Sequence, residues 1–261
     1  MDKDELLERV KDKKYISGIY NYCDRWCERC QFTSRCLTCT LVEEQFGDLQ
    51  EKDQLNEVFW QSFSEMLQDT LTMVKEMAKE RGIDIDSIDF EKDHDNEVLI
   101  KENRLTDLIS HTSKNYAKTV NDWFNSNEYI LLEKAEEINR IHPIPSKNNP
   151  VKEAANINDA IEIIRWYQYQ IHIKLKRAGE SASKESIDYG DYPKDSDGSA
   201  KVALIGIDRS ISAWNILLPY FSDQERQIID LIALLENIKT RVEIQFPGAR
   251  DFIRPGFDEI V

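Results

Sequence analysis

All five cysteines of the chain lie in one run of seventeen residues, CDRWCERCQFTSRCLTC, as Cys23, Cys27, Cys30, Cys36 and Cys39. Four thiolates held together satisfy tetrahedral zinc at about 2.3 Å per sulfur, and the same donors hold iron–sulfur clusters. Five is an odd number, and the run is denser than a disulfide framework requires. In a reducing compartment such a run points to metal or redox chemistry. Spacings of four and three put Cys23, Cys27 and Cys30 within about 60° of one another on a helix. The first expected ligand set is therefore Cys23, Cys27, Cys30 and Cys36, a turn returning Cys36 to the other three and Cys39 left as a spare. Its rival is Cys27, Cys30, Cys36 and Cys39, which has the paired Cys-x2-Cys form. Arg25, Arg29 and Arg35, threaded among the sulfurs, offset thiolate charge and favour deprotonation. Zinc is the expected cofactor, with an iron–sulfur cluster as the alternative.

The spacing Cys23-x3-Cys27-x2-Cys30 resembles the cluster motif of radical S-adenosylmethionine enzymes. Membership there implies a β/α barrel. No repeating strand and helix units are read in this chain, so the resemblance stops at three cysteines. Other chemistry is thinly represented. Ferritin-like di-iron bundles need paired Glu-x-x-His motifs, and only Glu91 with His94 fits, inside an acidic stretch. His111, His142 and His172 lack that partner. Neither a Gly-rich phosphate loop nor a nucleophile elbow is present.

The elements that must carry the cysteines read as helices. Nine Gly and seven Pro among 261 residues leave few tight turns, and 32% charged residues suit helices with wide solvated faces. A helix over about 53–81 aligns Leu55, Phe59, Phe63, Met66, Thr70, Met73 and Met77. Residues 84–97 carry seven acidic side chains and one Lys, and read as a linker because no register supplies an EF-hand. A long helical pattern covers 99–141, with a kink or a new N-cap at Asn125–Asn127. In the next helix, about 154–178, Ile157, Ile161, Ile164, Gln168, Ile171 and Leu175 form one stripe. Trp166, Tyr169 and Ile173 form a second, so this helix is expected to be sandwiched. Residues 179–198 read as a mobile loop.

From 199 to 218 the small residues Ala203, Gly206, Ser210 and Ala213 share a face that admits a close neighbour. Asp208 and Arg209 interrupt this apolar helix, and charges in such a place are normally paired. Asp208 is expected to be buried against a basic partner, its loss costing about 3 kcal/mol. His172, with Arg165 one face-step away on the flank of the central helix, forms a second polar cluster, and for both clusters an ion pair or hydrogen bond fixing helix register is expected. Ser222 and Glu225 suggest a capping box opening a last helix to about Phe246.

The expected fold is all-α: a helical bundle of four or more long helices with an N-terminal cysteine-rich metal-binding cap. The cap takes residues 1–50, the bundle 51–246, and an irregular C-terminal arm 247–261. The net charge of -15 is uneven. Residues 1–40 hold eight basic and seven acidic side chains, so all of the negative excess lies beyond them. Such acidity gives no counterion-release gain on nucleic acid and disfavours anionic membranes. With a charged N-terminus and no long apolar run, a cytoplasmic protein with a protein partner is expected. Function is expected to be that of a metal-binding helical scaffold or interaction protein, the alternative being an oxidoreductase or redox sensor working through the cysteines.

Overall fold

The computed structural model describes residues 8–46, 103–128, 150–185 and 194–258. The helix expected over 53–81, the acidic linker and the second half of the 99–141 pattern lie outside these residues. Contacts divide the chain into two compact units, one of residues 1–21 and 27–98, the other of 22–26 and 99–261. The described elements of both are helical.

In the first unit, 3-10 turns at Cys27–Arg29 and Thr33–Arg35 lead into α1, Leu37–Phe46. The Ile16 amide donates to the Arg35 carbonyl at 3.0 Å, and the Arg35 Nε to the Lys14 carbonyl at 3.5 Å. These bonds tie the chain before the cysteines to the turn between them. Arg9 is ion-paired with Glu44 of α1.

The second unit is built on α2 (Asn103–Ser126), α3 (Pro150–Lys184), α4 (Asp195–Leu217) and α5 (Glu225–Gln245). Contacts run α2 to α3, α3 to α4, α4 to α5 and α5 back to α2, which is the closed circuit of a four-helix bundle. Each helix turns a periodic apolar face inward. On α5 these residues are Ile228, Leu231, Leu235, Ile238 and Val242; on α3 they are Ile157, Ile164, Ile171 and Leu175, with Tyr167 between them. The expected core stripe of α3 is thus inside. Its second stripe is not sandwiched, because Tyr169 is 50% exposed and Ile173 61%.

The seam between α3 and α4 is the most extensive contact. Ala203, Gly206, Ser210 and Ala213 are all buried on α4, and a Cβ at Gly206 would stand 2.8 Å from the Tyr167 ring. At the opposite end of α4, Trp214 meets Trp123 of α2 edge-on at 5.0 Å, and its indole N–H donates to the Tyr116 hydroxyl at 3.1 Å. Phe221 closes this aromatic cluster, 5.6 Å from Trp123.

Several local expectations are corrected. The loop of 179–198 is helical at both ends: α3 runs on to Lys184 and α4 starts at Asp195. Glu185 takes the place of a side-chain N-cap, accepting from the Ser196 amide at 2.9 Å and its hydroxyl at 2.6 Å. The break expected at Asn125–Asn127 is present, as a turn at Asn127 after the last residue of α2, Ser126. The Asn127 side-chain amide donates to the Trp123 carbonyl at 2.7 Å and so closes the C-terminus of α2. The capping box at Ser222 is absent, and a 3-10 turn, Ser222–Gln224, leads into α5 instead. Pro247 ends α5, holding Phe246 out of helical conformation at φ -124° and ψ 72°.

The C-terminal arm is irregular but tightly held. Lys201 Nζ donates to the carbonyls of Arg250 (3.1 Å) and Phe252 (2.6 Å), and pairs with Asp258 at 3.1 Å. Arg254 grips both Asp258 oxygens at 2.9 Å. That grip outweighs burial and holds the Asp258 carboxyl well below the ordinary carboxylate range. The unfolded chain therefore binds this proton more readily, and the arm's contribution, full above about pH 4, is lost as pH falls further. Arg254→Gln should make unfolding free energy less steep in pH between about pH 4 and 2, as read by urea titrations; an unchanged slope would contradict the assignment. Gly206→Ala should cost about 1–3 kcal/mol by forcing Tyr167 aside, and a melting temperature equal to wild type would show that the seam yields freely.

Candidate functional site

The cysteine run does not form the helix that the first ligand set needs. Arg25 stands in the left-handed region at φ 58°, and regular helix resumes only as the short turn at Cys27. Cys23 belongs with Tyr22–Trp26 to the second unit, and Cys27, Cys30, Cys36 and Cys39 to the first. Cys27 opens one 3-10 turn, Cys36 follows the other, and Cys39 lies in the first turn of α1. All five are thiols.

Within the first unit, Cys39 hydrogen-bonds Cys27 and lies close enough to Cys36 to feel its charge. Burial first, then Cys27, Glu43 and Cys36, push the Cys39 thiol up to about 12. Cys39 Sγ also donates to Glu43 Oε1 at 3.8 Å. The Cys30 amide bonds back to the Cys27 carbonyl at 3.1 Å, and Cys30 Sγ accepts the Phe32 amide at 3.4 Å. Among the described residues, no group of three or more His, Cys, Asp or Glu side chains is arranged to hold a metal ion.

The reason for the break lies in Asp24. Its carbonyl accepts the Trp166 indole N–H at 3.0 Å and the Gln170 amide; its carboxylate accepts the Tyr167 hydroxyl at 2.5 Å and Arg209 at 3.0 Å. Arg209 also donates to the Tyr167 hydroxyl. Trp26 stacks on Trp166 at 4.9 Å and 15°, and meets Tyr167 edge-on. Its amide donates to Asp24 Oδ1 at 3.3 Å, an Asx turn that fixes carboxylate and indole together. At the other end of the segment, the Tyr22 hydroxyl donates to Asp195 at 3.0 Å while its ring meets Phe252. Gly198 admits that ring, since a Cβ there would stand 2.4 Å from it. Asp195 also accepts from Arg177 and Ser181, each at 2.6 Å. Burial would raise its pKa, but these three donors outweigh burial and lower it. Burial and the Asp195 bond push Tyr22 up to about 12.

This constellation of Asp24, Trp26, Tyr167, Gln170 and Arg209 is absent from the sequence reading, apart from Arg209 as a charge that must be paired. The other flagged charges are structural. Asp208 is paired with Lys239 at 3.0 Å and Arg250 at 2.7 Å, but its side chain is 39% exposed rather than buried. His172 Nδ1 lies 3.1 Å from the Ser113 hydroxyl of α2, a hydrogen bond between helices of the expected kind, and Arg165 covers the Phe124 ring. Burial, then the charges of Lys114 and Lys176, lower the His172 pKa against the pull of the Ser110 carbonyl. No described helix is long and apolar enough to cross a membrane.

No protein-family model, curated protein or solved structure matches this chain.

Exposure separates the two aspartates, with the Asp24 side chain at 23% and that of Asp208 at 39%. Asp24→Ala strands a buried phenol and should cost about 1–3 kcal/mol, whereas Asp208→Ala removes a solvent-screened network and should cost about 1 kcal/mol or less. Chemical denaturation of both variants checks this, and a larger loss at Asp208 would refute it.

Proposed function

We propose that Cys27, Cys30, Cys36 and Cys39 form a structural zinc knuckle, and that the helical bundle serves as a non-catalytic scaffold for a protein partner. The observation that carries the metal reading is the crowding of thiols: Cys39 bonded to Cys27 and within the field of Cys36. Thiolates this close repel one another, and a divalent cation removes that cost by deprotonating and binding them together. The Phe32 amide on Cys30 Sγ supports the reading, because such N–H donors around a thiolate orient ligands and moderate their charge. The knuckle then takes the paired Cys-x2-Cys form, with Cys23 left to the bundle.

A second reading rests on the same Cys27–Cys39 bond: two adjacent thiols are also placed for reversible oxidation, and the cluster would then act as a redox sensor or carry an iron–sulfur centre. Colour and metal content separate the readings. Anaerobically purified protein should be colourless and hold about one zinc per chain, whereas brown, iron-containing protein would favour the second.

Serine at Cys27, Cys30, Cys36 or Cys39 should each weaken zinc retention, while Cys23→Ser should leave it intact. Loss of zinc in Cys23→Ser with full retention in Cys39→Ser would overturn the ligand set. Removing the metal should loosen residues 27–46 in hydrogen exchange without melting the bundle, since α2 to α5 bury their own core.

A further inference from the structure

The Tyr22–Trp26 segment is bound the way a short peptide ligand is bound. It groups with the bundle while the chain on both sides of it groups with the other unit. Three independent features are read by the furrow between α3 and α4. Trp166 and Gln170 take the Asp24 carbonyl. Tyr167 and Arg209 take its carboxylate. The Trp166 face takes the indole two residues on. The residue between them, Arg25, must be left-handed, at φ 58°. A carboxylate on Arg and Tyr fixes charge, a doubly bonded carbonyl fixes register, and a stacked aromatic supplies area, which are the elements of anchor-based peptide recognition.

We propose that this furrow is a docking site for Asp-x-aromatic segments of a partner protein, and that Tyr22–Trp26 is its intramolecular occupant. The proposal rests on the interaction-scaffold half of the proposed function and not on the metal. The own segment competes as part of the same chain, at an effective concentration set by the chain that joins it to the bundle. The site is therefore closed in the isolated chain and opens to a partner when the cis segment is displaced. Selectivity follows from geometry. Glu in place of Asp loses the Asx turn, and Pro at the middle position is excluded because its φ is fixed near -65°.

The test uses the full chain and a fluorescent peptide spanning Tyr20–Glu28, with serine for Cys23 and Cys27. Anisotropy should show binding to Asp24→Ala and Trp26→Ala chains at least about tenfold tighter than to wild type, whose own segment competes. Adding Arg209→Gln to either variant should abolish binding, as should Pro at the middle position of the peptide. Two cis variants are used so that a folding defect in one leaves the other decisive, with circular dichroism confirming the fold. The proposal is overturned if the variants bind no better than wild type, or if binding survives Arg209→Gln or the Pro peptide. Concentration-dependent dimerisation of wild type, lost on Arg209→Gln, would overturn the foreign partner in favour of a second copy. Zinc measured on the same samples keeps the two readings apart: zinc without peptide binding refutes the docking site alone, and peptide binding without zinc refutes the knuckle alone.

Discussion

Between α4 and the Tyr167 ring there is no room for a side chain, and Gly206 is the residue that allows the two helices to meet there. That approach sets the depth of the furrow above it. Because Tyr167 is wholly buried along its ring, only its hydroxyl reaches the furrow, where Arg209 from α4 meets it. A hydroxyl and a guanidinium brought together this way need a shared acceptor, and the Asp24 carboxylate is that acceptor. The same seam brings Arg177 and Ser181 of α3 to Asp195 of α4, which then receives the Tyr22 hydroxyl. Both polar anchors of the Tyr22–Trp26 segment thus depend on an apolar packing decision made two helices deep.

The bundle was largely legible because its helices bury one face by a period that sequence displays. The core stripe of α3, the inner face of α5 and the small-residue face of α4 are inside. Helix ends were less legible. Glu185 caps α4 from the end of α3, and Asn127 caps the end of α2 behind it; each choice depends on which backbone groups tertiary packing leaves without partners, so short-range rules of the Ser-x-x-Glu type miss it. Asp208 shows the same limit. An apolar helix with one charged pair reads as a buried network, yet the pair lies at the edge of the seam, where Lys239 and Arg250 reach it from the solvent side.

The cysteine run is where local and long-range demands collide. Spacing alone puts Cys23, Cys27 and Cys30 on one helical face, but spacing describes only what a helix would do if one formed. Helix propagation across Cys23–Cys30 gains about one backbone bond per residue and little buried area. Against it stands Asp24, whose carbonyl and carboxylate are both satisfied by buried or half-buried donors, with Trp26 adding a stacked contact. Leaving those donors without an acceptor would cost more than a short exposed helix returns. The chain therefore turns left-handed at Arg25, and the helical period is lost before Cys27.

That turn also divides the work of the residues around it. Asp24 and Trp26 face the bundle, while the peptide that follows Trp26 begins the 3-10 turn at Cys27. With Cys23 held on the bundle side, the sulfurs that remain are two pairs of equal spacing, Cys27 with Cys30 and Cys36 with Cys39. Cys27 opens a 3-10 turn and Cys36 precedes α1, and the Phe32 amide donates to Cys30 Sγ. A three-residue step inside a helix offers no such donors, because its amides are already committed to the i−4 carbonyls. The left-handed residue that breaks the helical face of Cys23, Cys27 and Cys30 is thus the same feature that parts Cys23 from the two Cys-x2-Cys pairs of the first unit.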